Sequence, residues 1–210
     1  MAQSRVTRAT HVKIAFLVSF IGAVAGCMST ENAVTRQLVT PDSYASNGLS
    51  DITYASGGGG TIEAYVTGYS FWDNTPPGSA QIARPVVHRR AGGTGTYHDP
   101  VTVAVGHVKN GGRSLMDYPA GTRFYFPRLK KYGIAEDLCG DGPHPQNGPC
   151  HVGYQGHPWL DIYVGGRSVG SSAADRCMNA ITGIQTVIMA PSPTLPVDRG
   201  EIALSSCRRT

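Results

Sequence analysis

From Thr61 onward, the chain consists of short runs of β-branched and aromatic residues that are separated by glycine and proline. Each run ends in residues that favour turns, which is typical of an all-β domain. About 150 residues of this kind are sufficient for one hydrophobic core. The runs that we predict to be strands are 63–71, 101–107, 122–126, 132–138, 160–164 and 184–189.

One helix is expected within this all-β domain, over residues 172–181. Ser171 can cap its first turn and Gly183 can end it. No internal repeat and no second domain is visible, so residues 61–210 are interpreted as one domain. Residues 27–60 are rich in serine, threonine, asparagine and glycine and indicate a flexible tether.

The N-terminal segment has the layout of an export signal. Its basic residues are Arg5, Arg8 and Lys13. The apolar run that follows is shorter than the roughly 20 residues that a membrane-spanning helix needs. It ends at residues 24–27 (VAGC), which resemble the lipobox of bacterial lipoproteins. The resemblance implies a signal peptide over residues 1–26, a lipid on Cys27 and a location at the bacterial cell envelope. The alternative is an ordinary secretory signal with a chance cysteine.

The charge balance argues against a nucleic-acid-binding protein. The chain has 18 basic and 14 acidic residues, but three of the basic residues belong to the signal. The mature chain is therefore close to neutral and has no stripe of lysine and arginine. We expect no nucleic-acid partner, and membrane contact only through the lipid anchor.

The cysteines predict two disulfides, because four remain in an exported chain once Cys27 is set aside. They are Cys139, Cys150, Cys177 and Cys207. Three connectivities are possible; we favour pairing in chain order, since each pair then closes a local segment. A zinc site is the alternative, and it would draw on Cys139, Cys150, His144, His151 and His157. No close Cys-x-x-Cys pair supports that alternative, and we expect no metal and no cofactor.

Four segments, taken in order, resemble the double-psi β-barrel domains of wall-active proteins. They are residues 103–107 (VAVGH), 118–125 (YPAGTRFY), 136–140 (EDLCG) and 160–163 (LDIY). These proteins include the 3D domains of lytic transglycosylase A and its relatives, and rare lipoprotein A. The resemblance implies a six-stranded double-psi β-barrel, here with one short helix and a disulfide-closed insert loop.

A second likeness lies upstream, where residues 68–73 (GYSFWD) look like the first strand of family 45 endoglucanases. That family shares the barrel, places a catalytic aspartate after an aromatic pair and carries its proton donor in a late strand. Residues 159–161 (WLD) are similar to that late strand. Expansins use the same barrel and loosen walls without needing hydrolysis.

Two features depart from the 3D pattern. Gly106 and His107 stand where that pattern has Asp-Pro, and rare lipoprotein A has a histidine near this point. Residues 141–158 form an insert that the simple 3D domains lack. His107 is therefore a candidate for the histidine role, and the insert is expected to alter the shape of the groove.

Three aspartates are the candidate catalytic acids, because each follows an apolar or aromatic run and strand ends converge in a barrel. They are Asp73, Asp137 and Asp161, with His107 as a further candidate. Glycosidic cleavage needs an acid for the leaving oxygen and usually a second carboxylate. Asp73 and Asp161 can form an inverting pair, whereas a lytic transglycosylase needs a single acid/base aspartate. For each residue, a turn-forming or capping role is the alternative.

Aromatic side chains that cover the C–H face of a sugar ring are the candidate substrate-binding residues. The best placed are Tyr69, Trp72 and Trp159, which lie close to the candidate acids in the sequence. Alternation along a strand requires that either Tyr69 or Phe71 faces the core.

Together with the residues, these resemblances imply a monomeric wall enzyme, either an inverting glycosidase or a lytic transglycosylase. Its expected substrate is peptidoglycan or a β-glucan. The alternative is a non-catalytic, expansin-like module that binds polysaccharide or loosens walls. The two readings differ in whether two carboxylates converge, and a single acid at the groove would favour binding or a transglycosylase over an inverting hydrolase.

Overall fold

The computed structural model describes residues 59–207, which form eight strands and three α-helices. The strands are β1 (Thr61–Ser70), β2 (Val101–Val105), β3 (His107–Asn110), β4 (Arg113–Met116), β5 (Arg123–Phe126), β6 (Lys131–Leu138), β7 (Trp159–Gly165) and β8 (Gly183–Met189). The helices are α1 (Pro149–Val152), α2 (Ser171–Ile181) and α3 (Ile202–Ser205). Cys27, the signal segment and the tether up to residue 58 lie outside the described residues. Within residues 59–207, no helix combines the length and the apolar character needed to cross a membrane.

Six strands close into one barrel in the order β1-β7-β2-β6-β5-β8. β1 is parallel to β7 and β2 is parallel to β6, whereas the other four neighbouring pairs are antiparallel. These six strands are those that the sequence pattern predicts, so the prediction of a six-stranded all-β barrel is confirmed. Closure pairs both sides of every barrel strand, which removes the exposed edges of an open sheet.

The core is built by alternation along the strands. Val66 in β1 and Leu160 and Ile162 in β7 are fully buried in one cluster together with Val103 and Phe124. Each fully buried aliphatic or aromatic side chain of this size contributes about 1.5–3 kcal/mol to stability. The intervening residues Tyr65 and Thr67 of β1 and Trp159 and Asp161 of β7 are half-buried and lie on the outer face of the barrel.

The predicted strand 101–107 is divided in two at Gly106. A Cβ at Gly106 would lie 2.3 Å from the Cys150 carbonyl oxygen, so only glycine permits this close approach of the insert. His107 then begins a hairpin of β3 and β4 that the sequence interpretation missed. Its turn is formed by Gly111 and Gly112, both of which have positive φ.

The predicted helix 172–181 is present as α2 and begins one residue earlier. Gly170 occupies the N-cap position and no side chain caps the first turn, so the expected capping role of Ser171 is wrong. Two further single-turn helices occur, α1 in the insert and α3 near the C-terminus. Both are too short to show the apolar periodicity by which helices are recognised in a sequence.

Both disulfides pair in chain order. Cys139 and Cys150 have a Cα–Cα distance of 5.7 Å and close the insert between β6 and β7. Cys177 of α2 pairs with Cys207, at a Cα–Cα distance of 5.3 Å, just beyond α3. The pairing takes up both sulfurs that a zinc site in the insert would have needed.

Candidate functional site

The register of four neighbouring strands places two aspartates in one row. Thr67 of β1 pairs with Asp161 of β7, Asp161 pairs with Ala104 of β2, and Ala104 pairs with Asp137 of β6. Asp161 and Asp137 are thus two strands apart, which corresponds to about 10 Å between their backbones. The small side chain of Ala104 leaves the space between the two carboxylates open. We call Thr67, Asp161, Ala104 and Asp137 the acidic row.

A register shift in β6 brings Asp137 into this row. Val103 pairs with Ala135, but the next residue of β2, Ala104, pairs with Asp137, so Glu136 has no partner in β2. Irregularities of this kind re-aim side chains and are frequent beside active sites. Asp137 therefore faces the groove, while Glu136 is fully buried.

The acidic row opens into a groove of about 470 Å³. Five of the predicted site residues line it: Tyr69, Asp73, His107, Asp137 and Asp161. The rest of the lining comes from residues 74–75 and 81–83, from β2 to β4 and from residues 138–142. The structure thus brings all three candidate acids together.

Asp161 has the most perturbed carboxyl group of the three. Burial raises its pKa, and the charges of Asp73 and Asp137 raise it further, whereas a hydrogen bond from Thr67 opposes the change. The result is a pKa of about 7. Thr67 Oγ1 donates to Asp161 Oδ1 at 2.7 Å. A carboxyl group with this pKa exchanges its proton near neutral pH, as a general acid must.

Asp137 is buried, and both of its carboxylate oxygens accept hydrogen bonds. Its Oδ1 accepts the backbone N–H groups of Ala83 and Leu138, each at 2.9 Å, and its Oδ2 accepts the hydroxyl of Tyr69 at 2.9 Å. Burial raises the pKa of Asp137, although these three donors oppose the change. Asp137 therefore holds one groove wall in place and adds negative charge beside Asp161.

Asp73 is exposed at the rim of the groove. Its Oδ1 accepts the backbone N–H and the hydroxyl of Ser70, at 2.7 Å and 2.6 Å. Both bonds go to the same oxygen, so the turn after β1 fixes the carboxylate and leaves Oδ2 outside these bonds. This arrangement suits a carboxylate that accepts a proton from water.

His107 is buried, and its Nδ1 lies 3.3 Å from the carbonyl oxygen of Cys139. Burial lowers its pKa, which favours the neutral ring at neutral pH. A neutral ring that donates to a backbone carbonyl ties β3 to the start of the insert.

The predicted sugar-stacking residues occupy three different environments. Tyr69 lines the groove, but it is buried and its hydroxyl is engaged with Asp137. Trp72 is 38% exposed, does not line the groove, and donates its Nε1–H to the Gly166 carbonyl. Trp159 is also outside the groove lining and donates its Nε1–H to Thr67 Oγ1 at 2.7 Å. That bond directs the hydroxyl proton of Thr67 toward Asp161.

Glu136 fastens residues 86–88, which lie just beyond the groove wall at 81–83 in the chain, a role that the sequence interpretation missed. Its Oε2 accepts the backbone N–H groups of residues 86–88, and its Oε1 accepts the hydroxyl of Thr102. The ring of His88 bridges Glu136 and Asp99. Burial opposes protonation of His88, but hydrogen bonds with Asp99 and Glu136 outweigh it and raise its pKa. Adjacent carboxylates of β6 thus hold the same segment at two points.

Thr67 and Ala104 are further site residues that sequence reasoning missed. Thr67 lies two residues before Tyr69, so alternation along β1 places both side chains on the same face. This alternation is the one signal in the sequence that could have indicated Thr67. Its partnership with Asp161 depends on the pairing of β1 with β7, which are 94 residues apart at this position. Alanine has no functional group that could indicate a site in the sequence. Ala104 contributes because its small side chain leaves the space between the two carboxylates open.

Comparison with known proteins identifies a relative of this domain and a family model that matches it. The chain is 35% identical over 140 residues to the uncharacterized protein DDB_G0273701/DDB_G0273221 of Dictyostelium discoideum, and the match covers 65% of this chain. It spans about half of the relative, 54% of its length. No solved structure matches. A family model described as the DDB_G0273701 N-terminal domain matches residues 61–208, which include every strand of the barrel. The chain therefore belongs to the DDB_G0273701 N-terminal domain family.

Proposed function

We propose that this domain cleaves a polysaccharide by acid catalysis, with Asp161 as the general acid. The observation that carries the proposal is the pKa of about 7 at Asp161, in a groove that it shares with Asp73 and Asp137. A carboxyl group of this kind holds its proton up to neutral pH and can transfer it to the leaving oxygen of a glycosidic bond.

The hydrogen bonds favour different roles for the other two aspartates. Asp73 is exposed and has one oxygen outside its bonds with Ser70, so it suits the base that activates water in an inverting reaction. Asp137 has both oxygens engaged, so it suits a positioning and electrostatic role. A transglycosylase reaction centred on Asp137 and His107 is the second mechanism that the same groove could accommodate.

The substrate class follows from the resemblance to wall-active proteins. The two parallel strand pairs of the closed barrel support a double-psi connectivity of the kind these proteins have. We take peptidoglycan as the leading substrate and β-glucan as the second. The envelope location and the lipid on Cys27 rest on the N-terminal segment alone, since the family match begins at residue 61.

The decisive experiment incubates the full chain with peptidoglycan and with β-glucans and analyses the products by mass. Asp161→Asn and Asp137→Asn keep the side-chain shape and should each lower turnover by at least about a hundredfold, while glycan binding persists. A similar loss in Asp73→Asn indicates an inverting pair, whereas little loss together with anhydro products indicates a transglycosylase. Asp175→Asn, on the exposed side of α2, is the matched control and should behave as the parent.

Two outcomes would overturn the proposal in different ways. Parental rates in all three groove variants would mean that the chemistry lies elsewhere. A parent that binds polysaccharide but releases no product would favour the expansin-like alternative.

A further inference from the structure

The outer face of β1 and β7 continues past the acidic row into a row of apolar side chains. Tyr65 pairs with Trp159 of β7 on one side and with Ile184 of β8 on the other. Tyr65 and Trp159 each lie two residues before a member of the acidic row, which places them on the same face about 7 Å along the strands. We call Tyr65, Trp159, Ile184 and the neighbouring Tyr154 the aromatic platform.

The insert supplies the outermost ring of this platform. Tyr154 belongs to a tight turn in which it exchanges two backbone hydrogen bonds with His157, both at 2.9 Å. Its ring packs on that of Tyr65, with centroids 4.2 Å apart and an angle of 30° between the planes. Trp159 meets Tyr65 edge-on at 4.6 Å. The three rings therefore support one another in fixed positions.

The platform remains open to solvent. Tyr154 and Ile184 are each 41% exposed, and Val152, two residues before Tyr154, is 68% exposed. Polar groups border these apolar surfaces, since the side-chain amide of Gln155 lies 3.3 Å from the Tyr154 hydroxyl. An exposed apolar patch with a polar rim marks a binding surface. Aromatic faces with adjacent hydroxyl and amide groups match the C–H face and the hydroxyls of a pyranose ring.

We propose that the aromatic platform binds a sugar ring of the same polysaccharide chain whose glycosidic bond lies at Asp161. This inference rests on the proposed function and extends it, because it requires a chain long enough to reach from the acidic row to Tyr154. The hydrogen bond from Trp159 to Thr67 links the platform to the catalytic acid. The insert, which the simple 3D domains lack, thereby lengthens the binding surface.

Binding is tested with the full chain carrying Asp161→Asn, so that no substrate is consumed, and with insoluble peptidoglycan and insoluble β-glucan as probes. Tyr154→Ala should weaken binding of the preferred glycan about tenfold, a usual loss when an aromatic anchor is truncated. Tyr154→Phe keeps the ring face but removes the hydroxyl, so it should retain most of the affinity that Tyr154→Ala loses. Leu115→Ala removes an exposed apolar side chain outside the platform and is the matched control.

Fluorescence supplies a second readout. Trp72 and Trp159 are the two tryptophans of the chain, so Trp72→Phe leaves Trp159 as the single reporter. Binding of long, soluble oligosaccharides should change the emission of Trp159. Kinetics give a further comparison. For a disaccharide, which is too short to span both sites, kcat/KM of Tyr154→Ala should equal that of the parent.

The outcomes separate this inference from the proposed function. Cleavage by the parent with unchanged polymer binding in Tyr154→Ala overturns the platform alone. Platform-dependent binding without cleavage keeps the platform and overturns the enzyme. A parent that binds neither glycan overturns both, whereas a dimer that dissociates when Tyr154 is replaced overturns the platform alone, since a second copy would then be its occupant.

Discussion

At the scale of single residues, the site depends on a relay of two hydrogen bonds. Trp159 donates to the hydroxyl oxygen of Thr67, and Thr67 donates to Asp161. Because the hydroxyl oxygen is already an acceptor for the indole, its proton is directed at the carboxylate. This bond stabilises the ionised form of Asp161 and works against the burial that raises the pKa. The pKa of Asp161 is therefore set by its neighbours as well as by its burial.

The alkaline limb of the pH profile should report these opposing effects. Activity that requires protonated Asp161 falls as the pH rises through about 7. Thr67→Val removes a bond that favours the ionised form, so the limb should move to higher pH. Asp73→Asn removes a like charge, so the limb should move to lower pH in whatever activity remains. Profiles of kcat/KM against pH test this, and shifts in the same direction for both variants would contradict it.

The raised pKa of Asp161 also predicts that its ionised carboxylate lowers the stability of the fold at high pH. A carboxyl group whose pKa is higher in the folded than in the unfolded state stabilises the fold below pH 4 and loses this contribution as the pH rises through about 7. Asp161→Asn should therefore increase the free energy of unfolding at pH 8 by up to about 4 kcal/mol, with no gain below pH 4. Urea unfolding at both pH values measures this. Asp175→Asn is the exposed control, and equal gains in both variants would count against the interpretation.

At the scale of the elements, the groove exists because β2 has a small residue between two strands that carry acids. Ala104 pairs with Asp161 on one side and with Asp137 on the other. The shift in register after Val103 leaves Glu136 buried against residues 86–88, which it fastens. One irregularity in the β2–β6 pairing thus directs Asp137 to the groove and Glu136 to the segment that follows the wall at 81–83.

Filling the floor of the groove should block function while leaving the barrel folded. Ala104→Leu places a branched side chain between the two carboxylates, and its overpacking costs about 1–3 kcal/mol of stability. We expect a loss of at least about tenfold in kcat/KM, because the substrate can no longer approach Asp161. Ala104→Ser is nearly isosteric and should remain close to the parent. Parental activity in Ala104→Leu, with an unchanged circular dichroism spectrum, would contradict this view of the floor.

At the scale of the whole molecule, two disulfides fasten different parts of one barrel. The Cys139–Cys150 bridge closes the insert whose first residues line the groove. The Cys177–Cys207 bridge joins α2 to the chain just after α3. Their loops span 11 and 30 residues, so the two bridges should contribute similar amounts to stability.

Removing each bridge should therefore have the same effect on folding and a different effect on the site. Replacing both cysteines of either pair by alanine should lower the free energy of unfolding by about 2–4 kcal/mol. Only the double variant Cys139→Ala/Cys150→Ala should also raise KM, because without this bridge the first residues of the insert no longer hold their position in the groove lining. Thermal unfolding and steady-state kinetics on the same samples test this; equal KM values for the two double variants would contradict it.

Most of the fold could be predicted from the sequence, because its signals are local. Alternation and turn residues locate the six barrel strands and α2, and the spacing of cysteines favours the observed pairing. The β3–β4 hairpin was missed because Gly106 interrupts a run that otherwise reads as one strand. The capping of α2 by Gly170 was missed because serine is the usual N-cap.

For the site, the sequence by itself determined which carboxylates end or follow the apolar runs, and Asp73, Asp137 and Asp161 do line one groove. Only the tertiary structure decided that Thr67, Ala104 and Glu136 belong to that site, and that Trp159 supports the acid from outside the groove. The physical reason is that pairing between strands far apart in the chain sets the register. A shift of one residue would turn an acid from the groove into the core.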